Sequence, residues 1–187
     1  MARSFKGRVF HGTNKEFDRF EQSRARVAND FYGGGVAYFT DTLPIGKTYA
    51  VSMSRRYGGK PVVYEVTLSL SKIFDVDELF TGSELKKLLP KDLESFARGA
   101  GLIKLGVNKY RVLGDLDSGL LRLSGAEVFK GLSIGGIKSG EAREQLKKKG
   151  YDGLRYNGGA NMNTGRHNVY LAYDPKDIKI EGKLVIQ

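Results

Sequence analysis

The stretch whose reading decides the fold is Val9-Phe10-His11-Gly12-Thr13, followed about 20 residues on by Gly33-Gly34-Gly35-Val36-Ala37-Tyr38-Phe39-Thr40-Asp41. Residues 7 to 11 read as a short strand running into His11, and Gly12 lets the backbone turn or approach a ligand closely. After the glycine run, Val36 to Thr40 reads as a brief apolar strand. Asp41-Thr42-Leu43-Pro44 then supplies a helix start, and the helix is expected from about Leu43 to Tyr57, carrying Tyr49. Between Asn14 and Asp30, Phe17 and Phe20 are spaced to seat either one helical turn or a loop on the core.

Further along, Pro61 to Ser71 alternates and is rich in β-branched residues, which predicts a central strand. From Asp77 to about Gly125 the pattern changes to helical spacing through Leu79, Leu85, Leu88, Leu93 and Phe96, broken by Pro90. Two or three short helices are expected there. Glu141 to Lys149 predicts a charged helix closed by Gly150, with lysines in its last turn where the helix dipole favours cations. Strands are then expected at Tyr151 to Tyr156, Val169 to Asp174 and Ile178 to Ile186. A polar, glycine- and asparagine-rich loop, Gly158 to Arg166, separates the first two.

With 187 residues, one domain spanning 1–187 is expected, with the helical insertion at about 77–125. Hydrophobic residues make up 40% and aromatics 11%, a globular composition. No cysteine is present, which excludes disulfides and thiolate metal sites, and no metal is expected. No apolar run reaches the length of a membrane span or a signal peptide, so a cytoplasmic protein is the simplest expectation. The net charge of +10 and pI near 9.7 favour encounter with nucleic acid, an acidic protein surface or an anionic cofactor.

Known nucleotide-binding fingerprints are absent: no Gly-x-Gly-x-x-Gly follows a strand with an acid 20 residues later, and no Gly-Lys-Ser/Thr closes a glycine stretch. The residues present suit a different grip. His11 can hydrogen-bond a ribose hydroxyl, the Gly12 backbone can pair with a planar carboxamide, and Thr13 adds a hydroxyl. Tyr38 and Tyr49 can flank a flat aromatic ring, and a cationic nicotinamide ring strengthens such a sandwich.

These residues, together with Gly150-Tyr151-Asp152-Gly153-Leu154 and Val169-Tyr170-Leu171-Ala172-Tyr173-Asp174-Pro175, resemble the His-Tyr-Glu branch of the ADP-ribosyltransferases. That is the diphtheria-toxin and poly(ADP-ribose)-polymerase-like branch, and the C-terminal part resembles its small bacterial and phage members. The resemblance implies an α+β fold with a split, mixed β-sheet core, flanking helices and the helical insertion. It implies a glycosyltransferase that takes NAD as co-substrate and passes ADP-ribose to a macromolecular acceptor, protein or nucleic acid, as a toxin or phage effector would. It implies that His11 orients the nicotinamide ribose, Gly12 holds the carboxamide with Thr13 beside it in the cofactor site, and Tyr38 and Tyr49 frame the ring. The branch keeps a glutamate at the start of the strand that here reads Arg166-His167-Asn168-Val169-Tyr170, so the third catalytic position falls on Asn168, or on His167 or Val169 in another register. The missing acid speaks for single transfer over polymer formation. Two rival expectations are an inactive member that binds NAD or ADP-ribose, and a basic nucleic-acid-binding domain.

Overall fold

The computed structural model describes residues 3–21, 36–90, 93–102, 109–133, 139–159 and 165–186. The glycine run 33–35 and most of the loop at 158–166 lie outside them. By their internal contacts the described residues fall into two compact units, one within 3–21, 36–73 and 152–186 and the other within 74–151.

The first unit holds the sheet. Strands β1 (Arg3–Thr13), β2 (Ala37–Thr40), β3 (Val62–Asp75), β6 (Gly153–Gly158), β7 (His167–Ala172) and β8 (Ile178–Val185) form one sheet in the order β1-β2-β7-β6-β3-β8, with β1 also paired to β3. β1, β2, β7, β6 and β3 therefore make a closed ring of five. The pairs β1–β2, β2–β7, β7–β6 and β1–β3 are antiparallel. An odd ring cannot alternate throughout, so β6 and β3 run the same way and the sheet is mixed. A parallel pair needs a long crossover, and the chain between β3 and β6 provides it.

β3 is central, as its pattern predicts. Val62, Val66, Leu68 and Leu70 are buried in it, and they pack with Val9, Phe39, Tyr64, Tyr170 and Ala172 in one apolar cluster. Asp152 fastens the start of β6 to β3, its carboxylate accepting from the Ser71 N–H and hydroxyl, both at 2.6 Å, and from the Lys72 N–H.

Helix α1 (Leu43–Tyr57) has the bounds the sequence predicts, since Pro44 opens the first turn and the Gly58 N–H closes on the Ser54 carbonyl at 2.8 Å. It buries Ile45, Gly46 and Ala50, the last in a second apolar cluster with Phe10 and Val63. The segment Asn14–Glu21 holds no helix. It is pinned instead by the Tyr64 hydroxyl, which accepts from the Phe17 N–H at 2.6 Å and donates to the Phe17 carbonyl at 2.7 Å.

The second unit contains helices α2 (Gly82–Leu88), α3 (Leu93–Gly99), α4 (Lys109–Asp117), α5 (Gly125–Leu132) and α6 (Ser139–Lys148). It differs from the expected all-helical insertion in a two-stranded ribbon, β4 (Leu79–Thr81) with β5 (Arg122–Ser124). Each short strand runs straight into a capping box, Thr81 with Glu84 and Ser124 with Glu127. These reciprocal bonds satisfy the first free N–H groups of α2 and α5. Phe74, Phe80 and Phe129 cluster in this unit's core, the first two stacked at 5.1 Å. Among the described residues no helix is long and apolar enough to cross a membrane.

Candidate active site

β1 and β2 meet at a single pair, Phe10 opposite Thr40, whereas β1 follows β3 as far as Thr13 opposite Val62. His11 stands where the two strands part. Its Nδ1 lies 2.9 Å from the Tyr38 carbonyl. A carbonyl only accepts, so Nδ1 carries the proton and Nε2 is left as an acceptor. The ring sits against Phe20 at 5.3 Å, Phe39 at 5.8 Å and Phe17 at 6.2 Å. Burial among them pulls the pKa from 6.5 down to about 4, so the imidazole is neutral near pH 7.

Gly12 has a structural reason to be glycine. A Cβ built there would stand 2.1 Å from the Gly46 carbonyl oxygen, 2.7 Å from the Ala50 nitrogen and 3.0 Å from the Tyr49 Cβ. Gly46 answers from the helix side, where a Cβ would lie 3.1 Å from the Phe10 Cβ. α1 thus lies directly on the backbone of β1, and Tyr49 is brought beside Gly12. Tyr49 is 38% exposed, and partial burial raises its hydroxyl pKa, so it stays a neutral donor. The Thr13 hydroxyl accepts from the Lys15 N–H at 3.4 Å.

Alternation along the strands sorts the remaining residues. Tyr38 alternates with the buried Phe39 and so projects on the side of Thr40, whose Cγ2 approaches Gly46 of α1. The two tyrosines therefore share one side of the β1–β2 seam. His11 lies on the other, with Phe39. What the three have in common is the gap where the seam ends.

On β7, Val169 pairs with Thr40 and Tyr156 and is only 4% exposed. His167 is 7% exposed, with Nδ1 donating to the Gly165 carbonyl at 3.0 Å and Nε2 buried without a partner. Asn168 is the one of the three whose side chain is not buried. It falls on the side of Phe39 and His11.

Asn168 is held by two charged neighbours that no motif joins to it. Its Nδ2 donates to Asp41 Oδ2 at 2.6 Å and its backbone N–H to Asp41 Oδ1 at 3.1 Å. Its Oδ1 accepts from Arg155 Nε at 3.0 Å and Nη2 at 2.5 Å. Arg155 also reaches Asn157 at 2.7 Å, and the Thr42 hydroxyl donates to Asp41 at 2.9 Å. Arginine donates only and a carboxylate accepts only, so the amide orientation is fixed. One Nδ2–H remains for a further acceptor. Asp41 and Arg155 are thus site-adjacent residues that motif reading missed, because their link to Asn168 depends on the register of β2 and β6 against β7.

No curated protein sequence matches the chain. Among solved structures, a chain of the M. tuberculosis MbcT-MbcA toxin-antitoxin complex is similar over all of this chain and 87% of that one, at 8% identity and a TM-score of 0.49. Residues 7–181 match the family model described as ADP-ribosyltransferase in polyvalent proteins. That span runs from the middle of β1 into β8 and takes in residues of both units, and the chain accordingly belongs to the ADP-ribosyltransferases of polyvalent proteins.

Proposed function

We propose that this member cleaves NAD at the nicotinamide glycosidic bond and transfers the ADP-ribose once to a macromolecular acceptor, protein or nucleic acid, in the manner of the His-Tyr-Glu branch. The observation that carries the reading is the state of His11: neutral, its Nδ1–H committed to Tyr38, its Nε2 an acceptor at the open end of the seam. A ribose hydroxyl donates to such a nitrogen. The backbone of Gly12 and the hydroxyl of Thr13 hold the carboxamide, and Tyr38 and Tyr49 frame the ring.

In the reaction the bond from ribose C1′ to the pyridinium nitrogen breaks, and its electron pair neutralises the leaving nicotinamide. A lone pair on the acceptor forms the new bond to C1′, and the acceptor's proton passes to solvent. Positive charge builds on the ribose as the old bond stretches. On β7 the polar group nearest that work is Asn168, whose free Nδ2–H can position a ribose oxygen but cannot take a proton. Such a site supports single transfer, since β7 offers no carboxylate to activate a ribose hydroxyl for chain growth.

Incubation with adenylate-labelled NAD and a cell lysate tests this. Label on a macromolecule with release of nicotinamide is expected, and both should fall at least about tenfold in Tyr49→Ala and His11→Ala, the minimum loss for one positioning contact. Absence of both products in the wild type refutes transfer. The observation favouring an inactive, NAD-binding member is that both ends of the Asn168 amide are already engaged. Calorimetric NAD binding without nicotinamide release would establish that reading instead. Action as an effector in the cytoplasm of the producing or infected cell belongs to the same proposal.

A further inference from the structure

The solvent side of α1 carries an open hollow of about 600 Å³ whose described lining is Lys47, Thr48, Val51, Ser52, Arg55 and Arg56. Three of the six are cations and none is an acid. Lys47, Val51 and Arg55 follow one another at four-residue steps, which sets the outer two charges about 12 Å apart along one ridge. Ser52 and Arg56 continue a second ridge that begins at Tyr49, three and seven residues on. The hollow is therefore continuous, around the helix surface, with the residue that reaches Gly12.

Several cations elsewhere in the described residues are engaged by an acid. Arg8, Lys86, Arg98, Lys179 and Lys183 each pair with a carboxylate. No described carboxylate pairs with Lys47, Arg55 or Arg56, and Arg56 makes only a cation–π contact, with Tyr57 at 5.2 Å. The helix dipole accounts for Arg55 and Arg56 in the last turn. It does not account for Lys47 in the first, nor for a concave surface between them.

From this charge complementarity we propose that the hollow on α1 binds the phosphate backbone of a nucleic-acid strand, and that the acceptor of the transferase is a nucleic acid. The second clause rests on the transferase reading above; the first does not. Unpaired cations a phosphate step or two apart, with a short hydroxyl between them, grip a strand by its backbone and not by its sequence. The seam where His11 and Tyr49 stand then lies one helix flank away from the bound strand.

The test is fluorescence anisotropy of a labelled 20-nucleotide single-stranded DNA against salt. Each phosphate contact contributes about 0.7 to the slope of log affinity on log salt, so three contacts give about 2. Between 50 and 200 mM salt the wild type should lose about eighteen-fold more affinity than Lys47→Gln/Arg55→Gln/Arg56→Gln. Lys147→Gln/Lys148→Gln/Lys149→Gln removes the same charge from α6 and should leave the wild-type slope. Val51→Glu, a single change in the floor of the hollow, should also weaken binding. Equal losses in both triple variants, or none in either, overturn the proposal, as does labelled polyglutamate binding at the hollow where DNA does not. Nicotinamide release from NAD in the presence of a cell lysate is read in parallel: its absence in the wild type counts against the transferase reading and leaves the DNA result standing on its own.

Discussion

Replacing Gly12 by alanine puts the contact between β1 and α1 to a direct test. The added Cβ would lie 2.1 Å from the Gly46 carbonyl oxygen and 2.7 Å from the Ala50 nitrogen. Carbon and carbonyl oxygen rest at about 3.3 Å or beyond, so α1 must retreat by about 1.2 Å. Both obstructing atoms are backbone, and no rotamer change relieves them. The cost is accordingly set at the upper end of overpacking, about 3 kcal/mol. For a chain of this size that lowers the melting temperature by about 6–12 °C. Tyr49 travels with the helix, and under the proposed transferase reading a displacement of about 1 Å in a positioning residue costs on the order of a hundredfold in turnover. The assay is thermal unfolding by circular dichroism, with Gly182→Ala on β8 as the control, since a Cβ there meets nothing within 4 Å. Melting temperatures of the two variants within about 2 °C of each other would refute the close approach.

Two further outcomes follow from the same site. The unfolded chain takes up a proton on His11 near pH 6.5, whereas the folded ring resists it down to about 4. Stability therefore falls as pH drops through that window, by about 3 kcal/mol in all. His11→Asn, which keeps a donor for the Tyr38 carbonyl, should flatten that part of the pH dependence in urea unfolding; an unchanged slope would show that another group is responsible. For the tie between Asp41 and Asn168, a double-mutant cycle with Asp41→Ala and Asn168→Ala should give a coupling of about 1 kcal/mol, at the low end for a charged hydrogen bond because the pair is exposed. Simple additivity would mean the contact contributes nothing in solution.

The α+β fold of the family could be read from the sequence wherever an element carries its own punctuation. α1 is bounded by Pro44 and Gly58, and β3 announces itself through Val62, Val63 and Val66. β4 and β5 did not show, because three residues are too few for alternation to appear. The capping boxes that follow them, Thr81 to Glu84 and Ser124 to Glu127, were the legible signal and lay in plain view. At the candidate site, the residue types proposed to surround nicotinamide were legible as motifs, but the sides of the strands on which they stand were not. That His11 meets Tyr38 through a carbonyl, and that Gly12 yields its side chain to α1, are consequences of packing between segments distant in the chain. The same holds for Asp41 and Arg155, whose meeting at Asn168 no local periodicity encodes.

The closed ring of strands also orders events in time. β1 can find β3 once residue 75 has left the ribosome, but β2 has almost nothing to pair with until β7 is made, since Ala37 lies opposite Ala172. Pairings across such separations form late and slowly. The meeting of β2 with β1, and with it the Tyr38 carbonyl that sets the tautomer of His11, waits on the last strands of the sheet. A nascent chain stalled before β7 would hold the motifs complete in sequence and yet lack the seam at which the proposed site stands, so the fold ties assembly of that site to completion of the sheet.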